Sequence, residues 1–138
     1  MPYLFYQQER DQNFFEQCEQ IRDSYNERNE YISVGEIARQ AIMTQADSFY
    51  ISERECAKII YRAKQGIKSY TKSEAKRALY EEIERRYHII QEKHPDMLVP
   101  SIAKIIIEEP APRFYITKAR AVSLYYSLLN QPEKKRFK

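Results

Sequence analysis

Lys58, Arg62, Lys64, Lys68, Lys72, Lys76 and Arg77 fall within twenty residues that hold a single acid, Glu74, an excess of six positive charges. Arg54 lies one helical turn before Lys58, so Arg54, Lys58 and Arg62 follow one another at i+4 and share one face of a helix. Tyr61 and Tyr70 are interleaved with them. Cations at this density are the electrostatic footprint of a contact with the phosphate backbone of DNA or RNA, because each neutralised phosphate releases counterions and strengthens binding without reading sequence. The competing reading is a solvated helix face and connector, the commoner fate of a charge run. The chain as a whole is almost balanced, with 23 basic and 20 acidic residues, and the tail NQPEKKRFK alone accounts for the surplus of three. The basic character is local, unlike that of a strongly basic nucleic-acid domain.

Other chemistry is thinly supplied. His88 and His94, the only histidines, stand six apart, which places them on different faces of a helix rather than as the i, i+4 pair that chelates a metal. Glu16/Glu19 and Glu81/Glu84 are spaced i, i+3, but neither pair has the Glu-x-x-His partner used by carboxylate metal centres in helical bundles. Cys18 and Cys56, 38 positions apart, lack the close spacing of metal or redox motifs, and two reduced, buried thiols are expected. Gly35 and Gly66 are the only glycines, too few for a phosphate-cradling loop. The expectation is a protein that is not an enzyme and uses no cofactor and no metal.

The elements that position these side chains are written twice. Shifting the chain by 65 aligns residues 14–64 with 79–129 without a gap, with identities that include Glu16/Glu81, Glu19/Glu84, Ala46/Ala111, Phe49/Phe114, Tyr50/Tyr115, Ile51/Ile116 and Tyr61/Tyr126. Each copy reads as three amphipathic helices. In the first, Phe14, Phe15, Cys18, Ile21 and Tyr25 form one apolar face, Val34, Ile37, Ala38, Ala41 and Ile42 a second, and Cys56, Ile59, Ile60 and Ala63 a third. Ser52 with Glu55 has capping-box spacing, Thr117 holds the same place in the second copy, Pro100 suits a first helical turn, and Thr71 with Glu74 predicts another capping box. The FYI triplets before Ser52 and Thr117 predict buried hinges, with Ile51 and Ile116 stapled onto Cys56 and Ala121.

The fold expected is therefore all-α: two tandem three-helix repeats, 14–64 and 79–129, packed with approximate two-fold symmetry around one shared core. Residues 1–138 form a single domain, with a connector at 65–78 and a disordered basic tail at 130–138. Units of about 50 residues bury little surface alone, which is the reason to expect a shared core.

The duplication also separates what the fold needs from what one copy adds. Arg54, Lys58 and Arg62 align with Ala119, Ser123 and Ser127, so their charge is not a requirement of the repeat. The stretch SVGEIARQAIMTQADSFYISERECAKII has the rhythm of a helix-turn-helix with the cationic helix second, although about seven residues, Gln45 to Ile51, separate the helices where such a turn uses about 3 to 4.

APRFYIT, together with VGEIARQAI and the capped helix after it, resembles a motif of small all-helical tandem-repeat proteins of anaerobic gut bacteria. The resemblance implies a bacterial, cytoplasmic origin and carries no activity. The absence of a basic n-region and apolar h-region at the start of the chain, and of an apolar run of about 20 residues, leads to the same expectation of a soluble cytoplasmic protein without a membrane partner. DNA or RNA is the first expected partner, through Arg54, Lys58, Arg62, Lys64, Lys68, Lys72, Lys76 and Arg77. The alternative is a protein-interaction or assembly module, homodimeric or with another protein, that buries Tyr3, Phe5 and Tyr6.

Overall fold

The computed structural model describes residues 2–67, 71–132 and 136–137, and for residues 2–5 the backbone alone. Six helices follow one another: α1 (Pro2–Glu27), α2 (Val34–Ala41), α3 (Glu53–Lys64), α4 (Glu74–Lys93), α5 (Val99–Ile107) and α6 (Lys118–Leu129). Among the described residues there is no strand. One isolated antiparallel bridge joins Ala46 to Ala111, each N–H donating to the other's carbonyl at 3.0 Å.

The helices begin where side chains can satisfy their first N–H groups. Ser52 Oγ accepts from the Glu55 N–H at 3.0 Å and Thr117 Oγ1 from the Arg120 N–H at 3.3 Å, as the spacing predicts, and Pro100 sits in the first turn of α5. Ser33 caps α2 in the same way, through the Glu36 N–H at 3.1 Å. The cap of α4 is Ser73 rather than Thr71. Thr71 Oγ1 is taken by the Ser73 N–H at 3.2 Å in a local turn, so the helix starts two residues later, where Ser73 Oγ accepts from the Lys76 N–H at 3.3 Å.

Two helices end in the same motif. At α3, Gly66 has φ 71°, its N–H donates to Ala63 O at 3.0 Å, and the Ile67 N–H reaches Arg62 O at 3.0 Å. At α1, Asn29 adopts φ 55° with matching bonds to Asn26 O at 3.0 Å and from Glu30 N to Tyr25 O at 2.9 Å.

Packing does not follow chain order. The first helix of each aligned segment packs on the second, α1 on α2 and α4 on α5. The third crosses over: α3 lies on α5 and α4, and α6 lies on α2 and α1. Consecutive helices α2 and α3 do not pack on each other, and the connection between them runs eleven residues, from Ile42 to Ser52. The helix-turn-helix rhythm of this stretch therefore does not become a packed helix-turn-helix pair. The physical reason is the bridge: each connection is held to the other at Ala46 and Ala111 and delivers its helix to the opposite segment.

The core is continuous across this exchange. Phe14, Cys18, Ile37, Ile42, Cys56, Ile60, Ile83, Ile102, Ile106, Phe114 and Tyr125 are fully buried, large side chains such as these being worth about 1.5–3 kcal/mol each. Phe14 meets Phe114 edge-on at 5.9 Å, and Phe49 stacks on Tyr115 at 5.9 Å. Phe49 and Phe114 are buried and Tyr50 and Tyr115 half-buried, so the repeated FYI phrase is a core anchor. Cys18 and Cys56 are free and buried, as expected. Asn13 is the one buried polar residue among those described, and its Oδ1 accepts from the Asp47 N–H at 2.8 Å and the Tyr50 hydroxyl at 2.7 Å.

Candidate functional site

α3 divides cleanly. Cys56 and Ile60 turn inward toward α4 and α5, which leaves Arg54, Lys58 and Arg62 exposed on the opposite side, with Tyr61 exposed beside them. Because α3 also packs on α4, the end of one helix and the start of the other come together, and Lys72, Lys76 and Arg77 join the surface. Lys64 is exposed at the last turn of α3. Lys68 and Tyr70 lie outside the described residues.

Two adjoining cavities open along the α3/α4 seam. Arg62 and Arg77 line a groove of about 470 Å³ with Ile59, Ala63, Tyr80, Glu81 and Glu84. Lys76 lines its neighbour, a cavity of about 560 Å³ that includes Tyr6, Arg10, Tyr50, Arg113 and Tyr115. Ile59 and Tyr80 belong to both. Arg54, Lys58 and Lys64 line neither. Of the cations expected to act together, the structure brings Arg62, Lys76 and Arg77 to one seam and leaves the other described ones on the outer face of α3 and at Lys72.

The arginines of this surface differ in ion pairing from most arginines elsewhere in the molecule. Arg39 pairs with Glu36 at 3.1 Å, Arg85 and Arg86 with Glu82 at 2.7 and 2.8 Å, and Arg22 with Glu19 at 2.6 Å. Among the described residues of the basic stretch no cation has a carboxylate partner, and Arg77 donates instead to Thr71 O at 2.8 Å. Glu74, the one acid within the stretch, is held by Arg113 at 3.0 Å. The matching face of α6 presents Ala119, Ser123 and Ser127, all exposed and neutral.

Nucleophilic chemistry finds no support in the titratable groups. Burial, then the nearby Glu53 charge, pushes the Cys56 thiol up to about 12, and burial with Glu19 raises Cys18 further, so neither is a thiolate at neutral pH. Burial likewise raises Tyr50, and pushes Tyr115 up to about 12. His88 and His94 are exposed, His88 lying 3.6 Å from Glu84 Oε1. Among the described residues no group of three His, Cys, Asp or Glu could hold a metal.

The spacing of residues does not predict the cavity of about 560 Å³. Its one sequence signal is Arg113, where the first copy has Ser48: a cation placed inside an otherwise repeated apolar phrase. Arg136 and Phe137, in the tail expected to be disordered, lie against α1 and α6, with Phe137 6.0 Å from the Phe15 ring. Among the described residues no helix is long and apolar enough to cross a membrane. Comparison with known protein families, with curated proteins and with solved structures gave no match.

Proposed function

We propose that the chain is a duplicated three-helix unit whose copies exchange their third helices about an approximate two-fold axis, and that it serves as a non-enzymatic, cytoplasmic accessory protein binding nucleic acid through the charged face of α3 and the start of α4. Three features support the duplication. Adding 65 to the bounds of α3 gives those of α6, and adding it to the start of α2 gives that of α5. Every helix contact has a counterpart under the same shift: α1/α2 with α4/α5, α3/α5 with α6/α2, α3/α4 with α6/α1. Ala46 and Ala111, equivalent residues, bond to each other reciprocally, the relation expected where a two-fold axis passes between them.

The observation that carries the nucleic-acid reading is the absence of carboxylate partners at Arg54, Arg62 and Arg77, on a surface that also carries Lys58, Lys64, Lys72 and Lys76, in a molecule that pairs most of its other arginines. An unpaired cation has no competing anion to surrender when a phosphate arrives. Binding to mixed-sequence duplex DNA is expected to weaken steeply with salt. Replacing Lys58 and Arg62 with the serines of the second copy is expected to lower the slope of log K against log salt by about 1.8, at about 0.9 per lost contact. Absent binding, or an unchanged slope, sinks the reading.

A second reading has its own observation. Ile89 and Ile105, exposed at 41% and 37%, line one groove between α4 and α5. Two apolar side chains exposed in one groove favour an assembly surface. Sedimentation of an Ile89→Asp variant distinguishes it, since a self-associating wild type and a monomeric variant would support assembly.

A further inference from the structure

We propose that the α3/α4 groove is a subsite for one unpaired base of a nucleic acid strand, the base against Tyr80 and its phosphate between Arg62 and Arg77; this rests on the nucleic-acid reading above and names the form of ligand it prefers. The argument starts from the equivalent groove. Under the 65-residue shift, α3/α4 corresponds to α6/α1, where Phe15 stands for Tyr80, Leu124 for Ile59 and Leu128 for Ala63. The chain fills that groove itself. The Phe137 ring lies 6.0 Å from Phe15, the Arg136 guanidinium sits 4.8 Å over the same ring, and Arg136 Nε donates to Leu128 O at 2.6 Å. This helix pair thus accommodates a planar ring beside an aromatic side chain.

The α3/α4 groove keeps the aromatic wall and changes the rest. Alanine at position 63, where the other copy has leucine, leaves more room, and the cavity measures about 470 Å³. Glu81 and Glu84 line it, but Glu16 and Glu19 recur at the same places in the other copy, so their charge is common to both grooves. The difference is Arg62 for Ser127 and Arg77 for Gln12. Neither guanidinium is paired with Glu81 or Glu84, and both remain planar forks suited to phosphate oxygens. A ring-sized slot beside phosphate donors is the combination single-strand binders use. A duplex keeps its bases stacked inside and cannot fill it. An aromatic residue of a protein partner would fit the slot too, yet a strand is favoured because the cations continue from the groove to Lys76 in the adjoining cavity and to Lys58 and Arg54 along α3.

The test compares a single strand of about a dozen nucleotides with the duplex of the same sequence by fluorescence anisotropy at one salt concentration, together with a strand carrying 2-aminopurine as a stacking probe. Single-strand affinity about tenfold above duplex is expected, with quenching of the probe. Ala63→Leu, which borrows the other copy's residue, should abolish that preference and the quenching while leaving duplex affinity unchanged, and Tyr80→Ala should abolish the quenching. Equal affinity for both forms, unaltered by Ala63→Leu, overturns the base subsite and leaves the backbone reading standing. No binding of either form overturns both. A peptide of residues 129–138 that binds wild type but not Ala63→Leu, where oligonucleotides fail, gives the groove to a protein segment and also overturns the proposal.

Discussion

At the scale of single residues, the molecule depends on side chains that satisfy the irregular backbone between helices. Asn13 is the clearest. Its Oδ1 serves both the Asp47 N–H and the Tyr50 hydroxyl, and Tyr50 holds φ 57°, a left-handed conformation unfavourable for a bulky residue. Asn13→Ala, the residue found at the equivalent position 78, is expected to cost about 2 kcal/mol by leaving two donors without an acceptor, measured by urea denaturation. The thiols give a second expectation. Cys18 and Cys56, buried and raised, should resist a thiol reagent at pH 8 in the folded protein and react fully in denaturant.

Charge at Glu82 gives a third. Hydrogen bonding from Arg85 first, and from Arg86, outweighs partial burial and holds its carboxyl below the ordinary value. A carboxyl lowered on folding stabilises fully above the ordinary glutamate range, about 4.3, and loses that contribution as pH falls through its folded value. Glu82→Gln should therefore lower Tm at pH 7, and the gap from wild type should close on acidification below about 4. A gap that persists into acid assigns the effect to packing.

At the scale of elements, caps and hinges were legible in the sequence where one residue's chemistry decides the outcome. Ser52, Thr117 and Pro100 occupy the positions their types demand, and in the FYI hinges Phe49, Phe114 and Ile116 are buried whereas Tyr50, Ile51 and Tyr115 are half-buried. The cap of α4 was misread because Thr71 and Ser73 both offer hydroxyls, and the local turn consumes the first. Gly66 tests the end of α3. Nothing lies within 4 Å of a Cβ built there, so Gly66→Ala should cost only the conformational penalty of φ 71°, about 1 kcal/mol. The loss should appear as a lower Tm in thermal denaturation followed by circular dichroism. The basic stretch was visible as one set of residues, but its division was not: packing of α3 on α4 brings Arg62, Lys76 and Arg77 to the seam and leaves Arg54, Lys58 and Lys64 outside it.

At the scale of the whole molecule, the packing of α3 on α4 and α5 and of α6 on α1 and α2 was hidden, because a 65-residue self-similarity in sequence reads the same whichever helices pack together. Its one trace in the sequence is the identity of Ala46 and Ala111, both buried, where the two connections bond to each other. α3 has its apolar face against α4 and α5, and α6 packs on α1 and α2, so the proposed exchange predicts that neither half is stable alone. Two chains made by interrupting the connector are each expected to lack cooperative unfolding alone and to regain it on mixing, read by circular dichroism. A half that folds alone contradicts the exchange.

Arg54, Lys58 and Arg62 of α3 align with Ala119, Ser123 and Ser127 of α6, which are exposed and neutral, so the same charges can be placed on α6 without burying any of them. The most direct measurement is the salt dependence of duplex binding for wild type and for the transplant Ala119→Arg, Ser123→Lys and Ser127→Arg, which gives α6 the exposed face of α3. The transplant is expected to bind more tightly, with a slope of log K against log salt steeper by up to about 2.7. A slope equal to wild type in a protein of unchanged stability, together with an unchanged slope when Lys58 and Arg62 are replaced by serine, would mean that the cations of α3 do not touch phosphate.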